Sequence, residues 1–445
     1  MSRETTTEVQ LPKIAVGETV GPVGQSVIRE DAIPKVTGRA VYAADVHRPG
    51  MLYGKALLST QPHALIKRID TRKAERMPGV RAVLTARDIP GENRYGLAVL
   101  DQQALAGEKV RFVGEPVALV AAETPYQAEE AVRSIHVEYE PLPAVFDPVE
   151  ALKPDAPRVH ENGNLLLHTR VRKGDIVKGF AEADIVVENV YQTSGQDHAP
   201  IEPENGIAWF EEDGTLSIIS PTQCVFRARR QVALVLNMPM NRIRIANLTM
   251  GGGFGRKDDI MVEMLVSLLA RATGRPVRLT YSRHETMLTQ THRHPTKMRI
   301  RTGATRDGKL TALEAVAYGD TGAYASLGIY VIKRTALHFG GPYYYPSYKA
   351  DSLSAYTNNP ISGAMRGFGV VQAAVAHESQ MDEMARKLGV DPLDFRLKNC
   401  LRPGLTTGTG QMMTEGCGIE ATLLRLRDYM AEHELHFYAG SEVAP

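Results

Sequence analysis

MGGGFGRK, Met250 to Lys257, separates a strand-like run, Ile243 to Leu248, from a helical run that opens near Asp258. Consecutive glycines let backbone N–H groups approach a ligand with no side chain in the way, and loops of this kind cradle anions at a helix start. The same glycines would also serve a plain strand-to-helix turn that needs their dihedral freedom. Neither common nucleotide fingerprint fits: counted from Gly251, the last glycine of G-x-G-x-x-G falls on Arg256, and no G-x-x-x-x-G-K-[ST] can be drawn.

Upstream of the loop lie three strand patterns, Ile185–Tyr191, Gly206–Phe210 and Leu216–Ser220, the last two joined by an Asp213-Gly214 turn that favours a hairpin. A helix follows from about Val225 to Asn237 and stops before Pro239. Downstream, a helix carries Met261, Met264, Leu265 and Leu268 at helical spacing and ends at Gly274-Arg275-Pro276. Strands are expected over Val277–Tyr281, Lys297–Thr302 and Leu310–Tyr318, then a loop, Gly319–Tyr324, and an amphipathic turn around Arg334. A second glycine-phenylalanine loop, Met365-Arg366-Gly367-Phe368-Gly369, opens a helix from about Val371 to Leu388.

The N-terminal third reads differently. Short strands at Ala40–Ala44, Gly54–Leu58, Ala64–Ile69 and Val80–Thr85 precede the continuous apolar strand Pro116–Ala122. A helix started by Thr124-Pro125, with Ala128, Ala131 and Val132 on its inner face, and a strand, Val137–Glu140, complete a compact α/β region. The expected organisation is a tail over 1–23, with turn residues at Gly21-Pro22 and Gly24, an α/β domain over 24–143, a proline-rich linker over 144–165 and a mixed domain over 166–445, giving an α+β chain.

The chain has 445 residues, 43% hydrophobic and 23% charged, the profile of an ordinary soluble protein. A net charge of +1 offers no field for nucleic acid or a membrane surface, and no apolar run approaches a spanning helix, so a cytoplasmic location is expected. Cys224, Cys400 and Cys417 match neither a zinc nor an iron–sulfur spacing. His292 and His294 flank Arg293 ahead of Pro295 and are read as structural. The methionines of the helix after the loop are read as core.

Each of the two loops sets one phenylalanine between glycines beside a helix start. A pair of aromatics on flexible loops can bracket a flat ligand, while nearby N–H groups and Arg366 bind its polar edge. The order Thr222-Gln223, MGGGFGRK, KRTALH (Lys333–His338), TNNPISGAMRGFGVVQ (Thr357–Gln372) and DPLDFRLKN (Asp391–Asn399) closely resembles the molybdenum-binding subunit of the xanthine dehydrogenase and aldehyde oxidase family. GQSVIREDAIPKVTGRAVYAADV, Gly24–Val46, is similar to the start of that subunit's α/β hammerhead domain. IPGENRYG (Ile89–Gly96) and GDTGAYAS (Gly319–Ser326) bring the likeness nearest to the nicotinate-oxidising branch, in which the molybdopterin chain is divided in two.

The resemblance implies molybdopterin cytosine dinucleotide carrying molybdenum, and oxidative hydroxylation of an electron-poor carbon of a small aromatic N-heterocycle with water as oxygen donor. It implies that Gln223 hydrogen-bonds the oxo ligand of the metal, that Gly252, Gly253, Phe254 and Gly255 lie along the pterin and metal, and that Arg366 and Gly367 adjoin the cofactor. Gln223, Phe254 and Arg366 would sit near molybdenum without ligating it. Arg334 would face the substrate, Phe368 would be one of two aromatics sandwiching its ring, and Asp258 stands where purine-oxidising members carry a glutamate. Arg256 replaces a small glycine and is expected to add bulk and charge near the cofactor.

Nothing after residue 400 resembles the family's glutamine-rich cofactor loop or the glutamate that acts as base. No catalytic residue is therefore expected on this chain. A second molybdopterin subunit would supply the base, and iron–sulfur and FAD subunits would carry the electrons. Oxidation of purines or aldehydes, dehydroxylation of an aryl-CoA, a truncated chain and a non-catalytic cofactor-holding partner are the alternatives.

Overall fold

The computed structural model describes residues 25–435; the tail expected over 1–23, the turn residues Gly21-Pro22 and Gly24, and residues 436–445 lie outside the described residues. Residues 25–41 belong to a unit of their own, with one short helix, Ala32–Val36, preceded by Asp31, whose carboxylate takes Arg29 and Lys35. Residues from Tyr42 onward form the second unit, built on three sheets.

The first nine strands are β1 Leu52–Leu58, β2 Ala64–Asp70, β3 Val80–Thr85, β4 Lys109–Val110, β5 Pro116–Ala122, β6 His136–Pro141, β7 Leu165–Lys173, β8 Ile185–Thr193 and β9 Asn205–Phe210. The remainder are β10 Leu216–Ile219, β11 Ile243–Ala246, β12 Val277–Thr280, β13 Thr296–Ala304, β14 Leu310–Gly322 and β15 Ser347–Tyr356. The largest sheet has seven strands in the order β11-β10-β9-β12-β1-β5-β3; a second has five, β7-β15-β14-β13-β8, and a third has three, β4-β2-β6.

β5 is buried at every position, which is why it reads as an unbroken apolar run, and it lies between β1 and β3. The helix behind it, Pro125–Ser134, is capped by Thr124, whose side chain accepts from the Gln127 N–H, and it buries Ala128, Ala131 and Val132. The hairpin at Asp213-Gly214 joins β9 to β10 in antiparallel register. β1 pairs antiparallel with β5 and parallel with β12, so strands from both sides of segment 144–165 share one sheet. The helix Val262–Thr273 packs on this sheet and is buried from Val262 to Ala270, its methionine and leucines forming core with Met261, as read from spacing.

In the five-stranded sheet, β15 lies between β7 and β14, with the helices Gly328–His338 and Val370–Leu388 layered over it. Four expectations change. Ala40–Ala44 holds no strand: Tyr42 makes a single bridge to Thr249, and the Asp45 carboxylate, accepting from the Tyr42 N–H, winds Ala43–Asp45 into a 3₁₀ turn. β14 runs on to Gly322, absorbing the start of the expected loop. The turn around Arg334 is an 11-residue helix that buries Val331, Ile332, Thr335 and Ala336 along one stripe. The helix after MGGGFGRK opens at Val262, with only a 3₁₀ turn, Arg256–Asp258, before it. No helix among the described residues is long and apolar enough to cross a membrane.

Candidate functional site

The edge strand β11 delivers the chain into Gly251–Gly255, and Met365–Gly369 leads into the helix Val370–Leu388. The two loops touch. The Arg366 N–H donates to the Phe254 carbonyl at 2.9 Å. They also share a backbone shape: Phe254 and Phe368 have φ of 55° and 48°, in the left-handed region that non-glycine residues avoid. Strain of this kind, on the order of 1–3 kcal/mol per residue, persists only where surroundings over-determine it, and it clusters at functional sites. Here flanking glycines with φ near 100° and neighbouring anchors impose it.

Those anchors come from two other segments. Glu202, nearly buried, accepts from the Gly251 N–H and from Lys257 Nζ, both at 2.8 Å, so one carboxylate clamps the start and end of the loop. Gln223 Oε1 accepts from the Gly255 N–H at 2.9 Å, and the Gln223 N–H donates to the Lys257 carbonyl at 2.8 Å. With its oxygen engaged, the Gln223 side chain keeps its NH₂ as the outward donor. The N–H groups of Gly252, Gly253 and Phe254 make no hydrogen bond to a described residue, and Phe254 is 50% exposed.

Arg256 departs from expectation. It points away from the loop's open face into the protein, fully buried, where its guanidinium donates to Asp197 (Nη1–Oδ1 2.9 Å) and to the Thr286 carbonyl and lies 3.6 Å from Glu204. Hydrogen bonds to Asp197 and Thr286 and the nearby Glu204 carboxylate balance its charge inside the protein, while its Nε makes no hydrogen bond to a described residue, so it adds no bulk on the loop's open face. His292 and His294 are largely enclosed, and burial pushes His294 down to about 3, the behaviour of neutral structural imidazoles. No group of three metal-ligating side chains occurs among the described residues.

Beside the loops opens a cavity of about 880 Å³, lined among others by Asp258, Arg334, Phe368, Arg227, Arg230 and Tyr330. Asp258, Arg334 and Phe368, singled out from the sequence in three separate segments, therefore line one space. The Arg334 guanidinium carbon lies 5.3 Å from the Phe368 ring centre, within cation–π range. Asp258 Oδ1 lies 3.4 Å from Arg227 Nη1. Gln223, Gly252–Gly255 and Arg366 are joined to one another through the bonds already described. The sequence reading missed Phe226, Arg227 and Arg230; their i, i+1, i+4 spacing on one helix face was the available signal.

Behind Asp258, Asp259 accepts the Ser326 hydroxyl at 2.9 Å from each oxygen, and loss of water raises its carboxyl to about 7. A raised acid makes folding less favourable as pH rises from the unfolded value near 3.8 to about 7, because the unfolded chain loses its proton first. Asp259→Asn is expected to flatten the fall in stability across that window, leaving the variant relatively more stable at pH 7.5 than at pH 4.5. Denaturation midpoints of both proteins at the two pH values check this; parallel pH profiles would show that Asp259 does not titrate there.

Residues 159–400 match the molybdopterin cofactor-binding domain, and residues 37–143 match the aldehyde oxidase and xanthine dehydrogenase a/b hammerhead domain. The chain belongs to the aldehyde oxidase and xanthine dehydrogenase family. It is a molybdopterin-binding chain of that family of molybdenum oxidoreductases. It is 41% identical to the nicotinate dehydrogenase large molybdopterin subunit of Eubacterium barkeri, over 94% of this chain and 98% of that subunit. It is 42% identical to a probable xanthine dehydrogenase subunit from Bacillus subtilis, over 85% of this chain but 51% of the relative. Among solved structures it superposes on aldehyde oxidoreductase from Desulfovibrio gigas with a TM-score of 0.88 at 33% identity, covering 91% of this chain and 46% of that one. For quinoline 2-oxidoreductase from Pseudomonas putida 86 the values are 0.86, 32%, 92% and 54%. The chain thus spans about half the length of several family members and nearly all of the Eubacterium subunit.

The residues present fit the family's cofactor. The Gln223 side-chain amide, the N–H groups of Gly252, Gly253 and Phe254, which make no hydrogen bond to a described residue, and the fork of Arg366 form a donor set suited to oxo, dithiolene and phosphate acceptors.

Proposed function

We propose that this chain is the molybdopterin-binding subunit of an enzyme that hydroxylates an N-heterocycle of the nicotinate type. In that reaction a ring C–H and water yield C–OH, two protons and two electrons. The cofactor, molybdopterin cytosine dinucleotide, supplies an activated oxygen from water and accepts the electron pair when bound. The observation that carries the reading is the convergence of Phe368, Arg334 and Asp258 on one cavity beside the paired loops, in a chain 41% identical to a nicotinate dehydrogenase subunit.

In this reading Phe368 stacks on the substrate ring, and Arg334, held over that phenylalanine, stabilises negative charge developing on the ring nitrogen. The Gln223 NH₂ donates to the metal's oxo group, and the N–H groups of Gly252, Gly253 and Phe254 orient the pterin beside Gly255, Arg366 and Gly367. Asp258, one methylene shorter than glutamate, lines the same cavity and is paired with Arg227. It is the one carboxylate lining the cavity among the described residues. The base is assigned to a second molybdopterin subunit, and iron–sulfur and FAD subunits take the electrons, in a cytoplasmic complex. The proposed domain limits are 24–143, 144–165 and 166–445.

Co-expression with the partner chains, followed by molybdenum analysis and turnover of a nicotinate, xanthine and aldehyde panel, tests the proposal. A molybdenum-loaded complex that hydroxylates the pyridine ring supports it; a lone, metal-free monomer sinks it. In that complex, Arg334→Met is expected to lower kcat about 10²–10³-fold with a smaller change in KM, as for removal of one donor that acts on developing charge. A change confined to KM would instead assign Arg334 to ground-state binding.

A further inference from the structure

The cavity beside the loops is cationic, and its charge is unevenly placed. Three guanidinium groups, Arg227, Arg230 and Arg334, line it with a single carboxylate, Asp258. Arg227 takes that carboxylate at 3.4 Å, and Arg334 lies 5.3 Å from the Phe368 ring centre. Arg230 forms no ion pair among the described residues. It sits on the same helix as Phe226 and Arg227, one turn on, so the three side chains share a face. It also lines a second cavity of about 860 Å³, with Pro90, Gly91, Leu100, Met238 and Met240 on its walls. Leu97 and Arg230 border both spaces, which places Arg230 at their junction.

On the reading proposed above, we infer that Arg230, at the junction of the two cavities, recognises the ring carboxylate of a heteroaromatic substrate. The division of labour follows from position. Arg334, fixed against Phe368, faces the ring. Arg227 is spent on Asp258. Arg230 has no hydrogen bond, ion pair or ring contact to a described residue, so it presents an uncommitted planar fork, which matches a carboxylate bidentately and gives nothing comparable to an aldehyde or a neutral heterocycle. Unbalanced positive charge in a cleft also concentrates anions there and raises their association rate, an effect that salt weakens.

The test compares pyridine-3-carboxylate with pyridine-3-carboxamide, equal in shape and different in charge, as substrates of the complex co-purified with its partner chains. The preference for carboxylate, taken as the ratio of the two kcat/KM values, is expected to fall about tenfold to a hundredfold in Arg230→Gln, the range for a lost hydrogen bond to a charged group. Arg230→Lys is expected to recover part of it, and added salt to erode the preference of the unaltered complex more than that of Arg230→Gln. A ratio unmoved by Arg230→Gln, or an unaltered complex with no preference for carboxylate, would overturn the inference while leaving heterocycle hydroxylation standing. An unaltered complex that oxidises neither pyridine but turns over aldehydes would overturn the parent reading, and this inference with it.

Discussion

Arg256→Met is expected to destabilise the protein by about 3–5 kcal/mol, the cost of removing one partner from a buried ion pair. The arginine is wholly enclosed, and its nitrogens supply Asp197, the Thr286 carbonyl and the neighbourhood of Glu204. Methionine nearly fills the volume, so the loss reports stranded charge more than a cavity. Glu204 already has its carboxyl raised by burial, with Arg256 the main opposing influence; without that arginine it would be forced further toward the neutral form. Chemical denaturation of both proteins at pH 7 measures the difference. A loss below about 1 kcal/mol, the usual worth of an exposed pair, would show that water reaches the guanidinium after all.

Gly255→Ala is the most damaging small change expected in the site. The position has φ of 104°, and a Cβ there would lie 2.5 Å from the Ala364 carbonyl oxygen, a backbone atom that cannot swing aside. The loop must lift, which breaks both the Gly255 bond to Gln223 and the Arg366 bond to Phe254. A displacement of about 1 Å at groups that position reactants can cost about 10²-fold in turnover. The variant complex is therefore expected to lose activity to that extent and to retain less molybdenum per chain, while its circular dichroism stays near that of the unaltered protein. Full metal content with full activity would show that the two loops tolerate separation.

Much of the fold could be read because its local signals agree with its burial. β5 is apolar throughout and buried throughout; Thr124-Pro125 marks a helix start that the Thr124 cap then makes; Asp213-Gly214 turns between strands that pair. β15 gave no such warning. SYKADSLSAY alternates polar and small residues, yet Ser352 and Ser354 are buried at its centre because strands on both sides supply the main-chain bonds. The helix Pro392–Asn399 and the strand β7 were likewise not expected.

At the site, Asp258, Arg334 and Phe368 could be named from motifs, but their shared cavity could not. Arg256 and Lys257 show why. Two adjacent basic residues after a glycine loop look solvent-facing or cofactor-facing, and only the fold brings Asp197, Glu202 and Glu204 underneath them. Ion pairs across some 55 residues leave no periodic trace in the chain.

The seven-stranded sheet bears on how such a chain can change over evolutionary time. Since β1, β3 and β5 lie at one end of a hydrogen-bonded array whose other members follow residue 165, neither segment can be exchanged as a free-standing module without exposing a raw strand edge at β1 or β12. The loop Ile89–Leu100 and the helices Val225–Leu236 and Gly328–His338 contribute no strand to that array, so substitutions on their outward faces leave its hydrogen bonds in place.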